Sequence, residues 1–376
     1  MFYGKNHAPL SFVFSHTPKD FIVEEVPLYE SSLEGEHLVL FIRKKNITTF
    51  DLLEKLANFA PKKDIGYAGL KDKNALTYQY ISVPFKTDLS MIEDENIKIL
   101  DSKRHNNKLK IGHLKGNKFF IRLKKVDSLN AKRLEDELKM ALAFGFPNYF
   151  GYQRFGNFND NYKLAASIKK PIKRQSKKEK FLISALQSFY FNSWLDSRLK
   201  LSSLIDTMDI ASLLKLRFKD FMGSEDLDST LLERNVFGKE DTLTLELAQS
   251  HKIPYKLLKG DICKHFPYGK YFDIEDLKEE YVRFESKDIA PTGLLSGEDS
   301  KKQSRNCLDE VSLSKTIESS FTKPILALGT RRYAWSFISD LKYEYKDTLA
   351  HFELSFFLPS GSYATSFLEY IKNEKL

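Results

Sequence analysis

Short apolar runs set between turn residues dominate residues 1–145. Segments 11–14, 21–26 and 37–43 are rich in Val, Ile, Phe and Leu, and each is short enough to be a strand. Thr48-Thr49-Phe50-Asp51 then carries a helix start: Thr48 can cap it with Asp51 three residues on. Phe50, Leu53, Leu56, Ala57 and Ala60 recur at helical spacing until Pro61 stops the run. Strands are expected again over 78–83, 96–100, 109–114 and 119–123. Residues 129–144 read as a second amphipathic helix with Leu134, Leu138 and Leu142 along one face.

The pattern changes near residue 160. Positions 169–180 hold seven basic residues against one Glu and precede the long apolar-periodic segment 181–199. This run reads as a domain boundary, either a solvated linker or a basic strip able to gather phosphates. From 160 to 335 the chain is mostly helical in pattern until 250 and mixed after that, with a polar, loop-like stretch over 296–312. A strand over 352–358 and a helix over 362–372 return to the style of the first part. The layout predicts an α+β protein in which a largely helical segment, 160–335, is inserted into a strand-rich domain made of 1–159 and 336–376.

Composition narrows the class of function. A chain of 376 residues exceeds one ordinary core, and 59 Lys and Arg against 51 Asp and Glu leave a net charge of +8, a balance that suits a polyanionic partner. Lys103, Arg104, Lys108, Lys110, Lys115 and Lys118 follow one another with no acid between 103 and 118, and strand alternation would line several on one face. The two cysteines, Cys263 and Cys307, make at most one disulfide, so a reducing cytoplasm is expected. Residues 1–10 lack a signal-peptide apolar core, and no apolar run approaches the roughly 20 residues that cross a bilayer.

The candidate chemistry centres on Gly66-Tyr67-Ala68-Gly69-Leu70-Lys71-Asp72-Lys73-Asn74-Ala75-Leu76-Thr77, which sets one carboxylate between two lysines in a turn before a strand. A carboxylate flanked by cations stays ionised and can serve as nucleophile or base, although Lys-Asp-Lys-Asn is also ordinary solvated turn composition. Cofactor motifs are missing. Gly151 and Gly156 have P-loop-like spacing without the Lys-Ser/Thr that must follow, and no G-x-G-x-x-G follows a strand. Cys263-x-His265 is a lone pair without a second pair at ligand distance, so neither metal nor cofactor is expected.

Five stretches in order extend this picture. Pro18-Lys19-Asp20-Phe21-Ile22-Val23-Glu24-Glu25 and Gly35-Glu36-His37 precede the acid block, and Asn148-Tyr149-Phe150-Gly151-Tyr152-Gln153-Arg154-Phe155-Gly156 follows in the middle. Phe357-Leu358-Pro359-Ser360-Gly361-Ser362-Tyr363-Ala364-Thr365 closes the set. Together they resemble the TruD-type tRNA pseudouridine synthases along nearly the whole chain. That resemblance implies a pseudouridine synthase catalytic domain with a mixed or antiparallel sheet, interrupted by an inserted TruD-specific domain. It implies isomerisation of uridine in tRNA, at uridine 13 of the D arm, without cofactor or metal. Asp72 is carried over as the catalytic acid because Gly69-Leu70-Lys71-Asp72-Lys73 matches the family's G-x-K-D-[KR].

By the same resemblance Phe150 is the stacking platform and Asn148 the reader of a flipped base, with Lys71 and Arg154 as further substrate contacts. The acid can attack the sugar or remove the C2′ proton, and both routes stay open. One departure concerns the basic residue the family tends to carry just ahead of P-x-D-F, where this chain reads Ser15-His16-Thr17. Lys71, Lys19 and His16 are candidates for that charge, though Lys71 would point away from Asp72 on an extended backbone. Arg154, Arg331 and Arg332 suit phosphates or interdomain contacts. No protein partner is implied, and a monomer is favoured. The rival readings are a non-catalytic RNA-binding or chaperone protein of the same fold and another RNA-modifying enzyme such as a methyltransferase.

Overall fold

The computed structural model describes residues 1–156, 160–223, 229–298 and 313–376. Most of the 296–312 stretch, Cys307 included, lies outside the described residues. The chain forms two compact units, one of Pro9–Leu142, Ile338–Ala364 and Glu374–Leu376, the other of Met1–Ala8, Ala143–Phe337 and Thr365–Asn373. The α+β class expected from the sequence holds, but the breaks between units fall elsewhere than at 159/160 and 335/336. Residues 143–156 fold with the middle of the chain because Phe146–Pro147 pairs with Trp335–Ser336 and Asn192 hydrogen-bonds both backbone groups of Phe150. The basic run at 169–180 likewise lies inside this unit rather than at its edge. There Ser176 and Glu179 form the capping box that starts the long helix Lys177–Thr207.

The first unit is built on a nine-stranded sheet. Its main path runs Ser339–Lys346, His351–Pro359, Leu114–Lys124, Phe21–Pro27, Leu76–Pro84, His37–Lys44, Ile97–His105. Phe21–Pro27 and Leu76–Pro84 are parallel and the other neighbours on this path antiparallel, so the sheet is mixed. Alternation sends Leu40, Ile42, Ile81, Val83 and Ile97 to one face, where they pack with Leu52, Leu53 and Leu56 of the helix Thr49–Leu56. Val39, Phe41, Tyr78 and Tyr80 fall on the opposite face.

Three local expectations are corrected. Phe50 is 56% exposed, because the Thr48–Asp51 capping box places Thr49 inward at the first helical position and moves the apolar stripe to Leu52, Leu53 and Leu56. In the helix Ser128–Phe144 the buried face is Ala131, Leu134, Leu138 and Ala141, leaving Leu142 exposed. Residues 109–113 form a loop and not a strand. Leu109 N–H donates to Ser82 Oγ and Gly112 N–H to the Ala68 carbonyl, which ties the loop to the acid block instead of to a ladder. Gly66 permits this approach, since a Cβ there would stand 2.3 Å from the Leu109 carbonyl oxygen.

The second unit packs the helix Lys177–Thr207 against a four-stranded sheet ordered Tyr271–Asp273, Ile262–His265, Ile289–Leu295, Thr330–Tyr333. Arg198 of that helix is fully buried and makes a bidentate pair with Asp261 at 2.7 and 2.9 Å, so its charge is matched where water is absent. Among the described residues no helix is long and apolar enough to cross a membrane.

Candidate active site

Asp72 stands exposed on an irregular loop between the short strand Gly66–Tyr67 and the strand Leu76–Pro84. The loop is held from beneath by buried polar groups. Thr49 Oγ1 accepts the Lys71 N–H at 2.8 Å and donates to Gln79 Oε1 at 3.1 Å. The Lys71 ammonium turns inward to Glu25 Oε1 at 2.5 Å, and Glu25 Oε2 accepts the Tyr80 N–H at 2.8 Å. With side-chain exposures of 5% and 1%, the Lys71–Glu25 pair is shut off from solvent, and breaking it would strand a charge. Lys71 therefore turns inward while Asp72 stays exposed.

Lys44 is the residue that sequence reasoning missed. It ends the strand His37–Lys44 with no exposed surface, and its ammonium donates to the carbonyls of Ile47 at 2.8 Å, Asp72 at 3.1 Å and Lys71 at 3.4 Å. A cation thus sits directly under the acid's own backbone. Burial pushes Lys44 down to about 8, against the opposing pull of the Asp72 charge. In sequence it is one of two adjacent lysines at a strand end, with nothing to separate it from a solvated pair.

Among the candidate basic partners, His16 feels the charge of Asp72. Burial lowers its pKa while the charge of Asp72 acts in the opposite direction. Its ring packs edge-on to Phe14 at 4.6 Å and to Phe21 at 5.6 Å. The turn that presents it is fixed by Asp20, which accepts from Thr17 Oγ1 at 2.8 Å and Lys124 Nζ at 2.5 Å. The Asp of Pro18-Lys19-Asp20-Phe21 is accordingly a buried staple. Lys19 is exposed.

The other expected site residues lie in the second unit. Asn148 is buried. Its Nδ2 donates to the Tyr333 carbonyl at 3.0 Å, and its Oδ1 and carbonyl both accept from Arg332, at 2.9 and 3.0 Å. The Phe150 ring is 6% exposed, with the Arg332 guanidinium 4.0 Å from its centroid and Phe191 edge-on at 5.5 Å. Arg154 lies 5.8 Å from the same ring, and its Nε donates to Ser188 Oγ at 3.4 Å. Asn148, Phe150, Arg154 and Arg332 form one cluster. Arg331 points into the sheet core instead, paired with Glu318 at 2.5 Å and bonded to Thr292.

Cys263 is buried with its thiol pushed well up by desolvation, and His265 is exposed. Among the described residues no three His, Cys, Asp or Glu side chains converge as a metal site would require.

The fold is that of a solved structure from Methanosarcina mazei assigned to tRNA pseudouridine synthase D. The match covers 100% of this chain and 96% of that one, with a TM-score of 0.60 at 20% identity. The family model described as tRNA pseudouridine synthase D (TruD) matches residues 2–176. Relatives named tRNA pseudouridine synthase D align along the full chain: 44% identical in Sulfurimonas denitrificans, covering 99% of that protein, and 42% in Wolinella succinogenes, covering 98%. In Helicobacter pylori the identity is 40%, over 100% of this chain and 96% of the relative. The chain belongs to the tRNA pseudouridine synthase D (TruD) family.

Proposed function

We propose that the protein isomerises uridine to pseudouridine in tRNA, with Asp72 as the acting carboxylate and uridine 13 of the D arm as the target. The reaction breaks N1–C1′, turns the uracil and joins C5 to C1′; the proton leaves C5 and N1 takes one up, with no change of oxidation state. One carboxylate can promote it, by adding to C1′ or by taking the C2′ proton. The observation that carries this reading is the contrast at Asp72: an exposed acid on a loop whose anchors, Thr49, Lys71, Glu25 and Lys44, are all buried. Such a loop is ordered before substrate arrives, which is what a positioned catalytic group needs. Lys44 supplies the neighbouring charge that the family's usual basic residue would give.

The strand-rich part of the chain carries the chemistry in this reading, and the inserted middle part grips RNA. The target base leaves its stack and is read by Asn148. It stacks on the Phe150–Arg332 pair, since a guanidinium plane is itself a stacking surface and covers the ring. Arg154 and the exposed lysines of 169–180 meet phosphates, whereas Lys71 serves by holding the loop. Neither cofactor nor protein partner is required, and the protein works in the cytoplasm, where its RNA is. Isomerisation frees the C5 hydrogen, so tRNA labelled with tritium at uridine C5 should release it to water with wild type and not with Asp72→Asn. Equal release from both would refute the role of Asp72.

A further inference from the structure

The open face of the nine-stranded sheet holds a cavity of about 430 Å³ that the proposed reaction does not use. Its floor is aromatic. Phe41 and Tyr80 stand directly opposite on neighbouring strands, with ring centroids 4.8 Å apart and planes 27° from parallel. Asp101 and Lys103 of the next strand form one wall, paired at 3.2 Å and both half in water. Tyr29, 58% exposed, closes the rim against His113, ring to ring at 5.7 Å and 90°. The loop that supplies His113 also carries the exposed Lys110, and exposed Lys115 follows at the start of the next strand.

We propose that this cavity is a nucleobase pocket, holding an extruded base of the RNA substrate other than the reacting uridine; the inference rests on the RNA reading above. A stacked aromatic floor binds the π-face of a base, and the half-exposed Lys103 in its wall meets a flanking phosphate. The volume falls in the range of ordinary small-ligand sites, roughly 300 to 1,000 Å³. Carboxylates at Asp101 and Glu30 accept from amino and imino N–H groups, which guanine presents side by side on one edge. The pocket is not the slot for the reacting uridine. Tyr80 lies four residues into the strand after the Asp72 loop, roughly 13 Å beyond the strand's start. Its base is nonetheless tied to the acid, because Glu25 lines the cavity and accepts from both Lys71 and Tyr80.

The test is ultraviolet cross-linking of unmodified tRNA to the full chain with mass spectrometry of the adducts, beside fluorescence-anisotropy titrations of Phe41→Ala, Tyr29→Ala and Asp101→Asn. The expected result is a guanine adduct on Tyr29, Phe41 or Tyr80, and tRNA affinity weakened about 5- to 100-fold by Phe41→Ala, the cost of giving up one stacked base. Phe41 stacks on Tyr78 and Tyr80 of the neighbouring strand, so Tyr29→Ala, at an exposed side chain, keeps the test valid if Phe41→Ala unfolds in urea titration; it should weaken binding in the same direction. Unchanged affinity in folded variants with no adduct on these residues overturns the pocket and leaves the Asp72 reading intact. So does tight binding of free GMP that leaves tRNA affinity untouched, which would assign the cavity to a free nucleotide. No tRNA binding by any form overturns the pocket and the proposed reaction together.

Discussion

Replacing Lys44 by methionine removes the cation that donates to the Asp72 carbonyl and frees the carbonyls of Ile47, Lys71 and Asp72 that it holds. The effect on stability depends on pH, with a sign fixed by the titration. Lys44 has its folded value at about 8, below the ordinary 10.5, because burial costs the ammonium its water. Between those two values the unfolded chain holds a proton that the folded chain has released, so stability rises with pH across that window. The folded protein carries the full cost of the buried ammonium below pH 8 and sheds it above. From pH 7 to 9.5 the wild type should gain roughly 2 kcal/mol on Lys44→Met. Urea unfolding at pH 7, 8, 9 and 9.5, extrapolated for both proteins, measures the difference and cancels the other titrating groups. Parallel stability curves over that range would refute the reasoning. A second readout follows from the geometry: loss of the proton removes a donor and a charge from beneath the Asp72 carbonyl, so product formation by the wild type should decline above pH 8.

Other expectations can be checked with simpler means. Lys71→Met leaves the Glu25 carboxylate buried without its cation and should destabilise the protein by about 3 to 5 kcal/mol in urea titrations; a loss below 1 kcal/mol would show that the pair does not hold the loop. Phe150→Leu should weaken tRNA binding by roughly 1 to 3 kcal/mol if its ring, under Arg332, supports a stacked base, and unchanged affinity by filter binding would return Phe150 to the core. Neutralising Lys173, Arg174, Lys177 and Lys178 together should lower the slope of log affinity against log salt by up to about 0.9 for each phosphate that these side chains no longer neutralise. An unaltered slope would leave that run as a solvated helix start.

The fold was legible where local chemistry and tertiary demand agree. The Thr48 cap, the strands around Phe21, Leu40 and Ile121, and the helical segment 181–199 are each specified by residues within a turn of their own backbone. Ser339–Lys346 went unread although Leu341, Tyr343 and Tyr345 alternate with Lys342, Glu344 and Lys346; it is an edge strand whose residues are all exposed or only half-buried. The 109–113 loop mimics a strand in sequence, and only its bonds to Ser82 and Ala68 show otherwise. At the site, the acid was visible as a charged turn following two glycines, Gly66 and Gly69. Its support was not, since Lys44, Thr49 and Glu25 come from separate strands and a helix, and their roles exist only after the sheet brings them under one loop. The 143–156 segment carries a motif that reads with the first part by sequence but is buried against Asn192 and Trp335.

The most direct test is pseudouridine mapping of unmodified tRNA incubated with purified wild type and with Asp72→Asn, with no cofactor added. The account predicts one modified position, uridine 13, in the wild-type sample alone, with tRNA affinity retained by the variant. A tRNA bound tightly by both proteins and modified by neither would contradict it and leave an RNA-binding protein of the same fold.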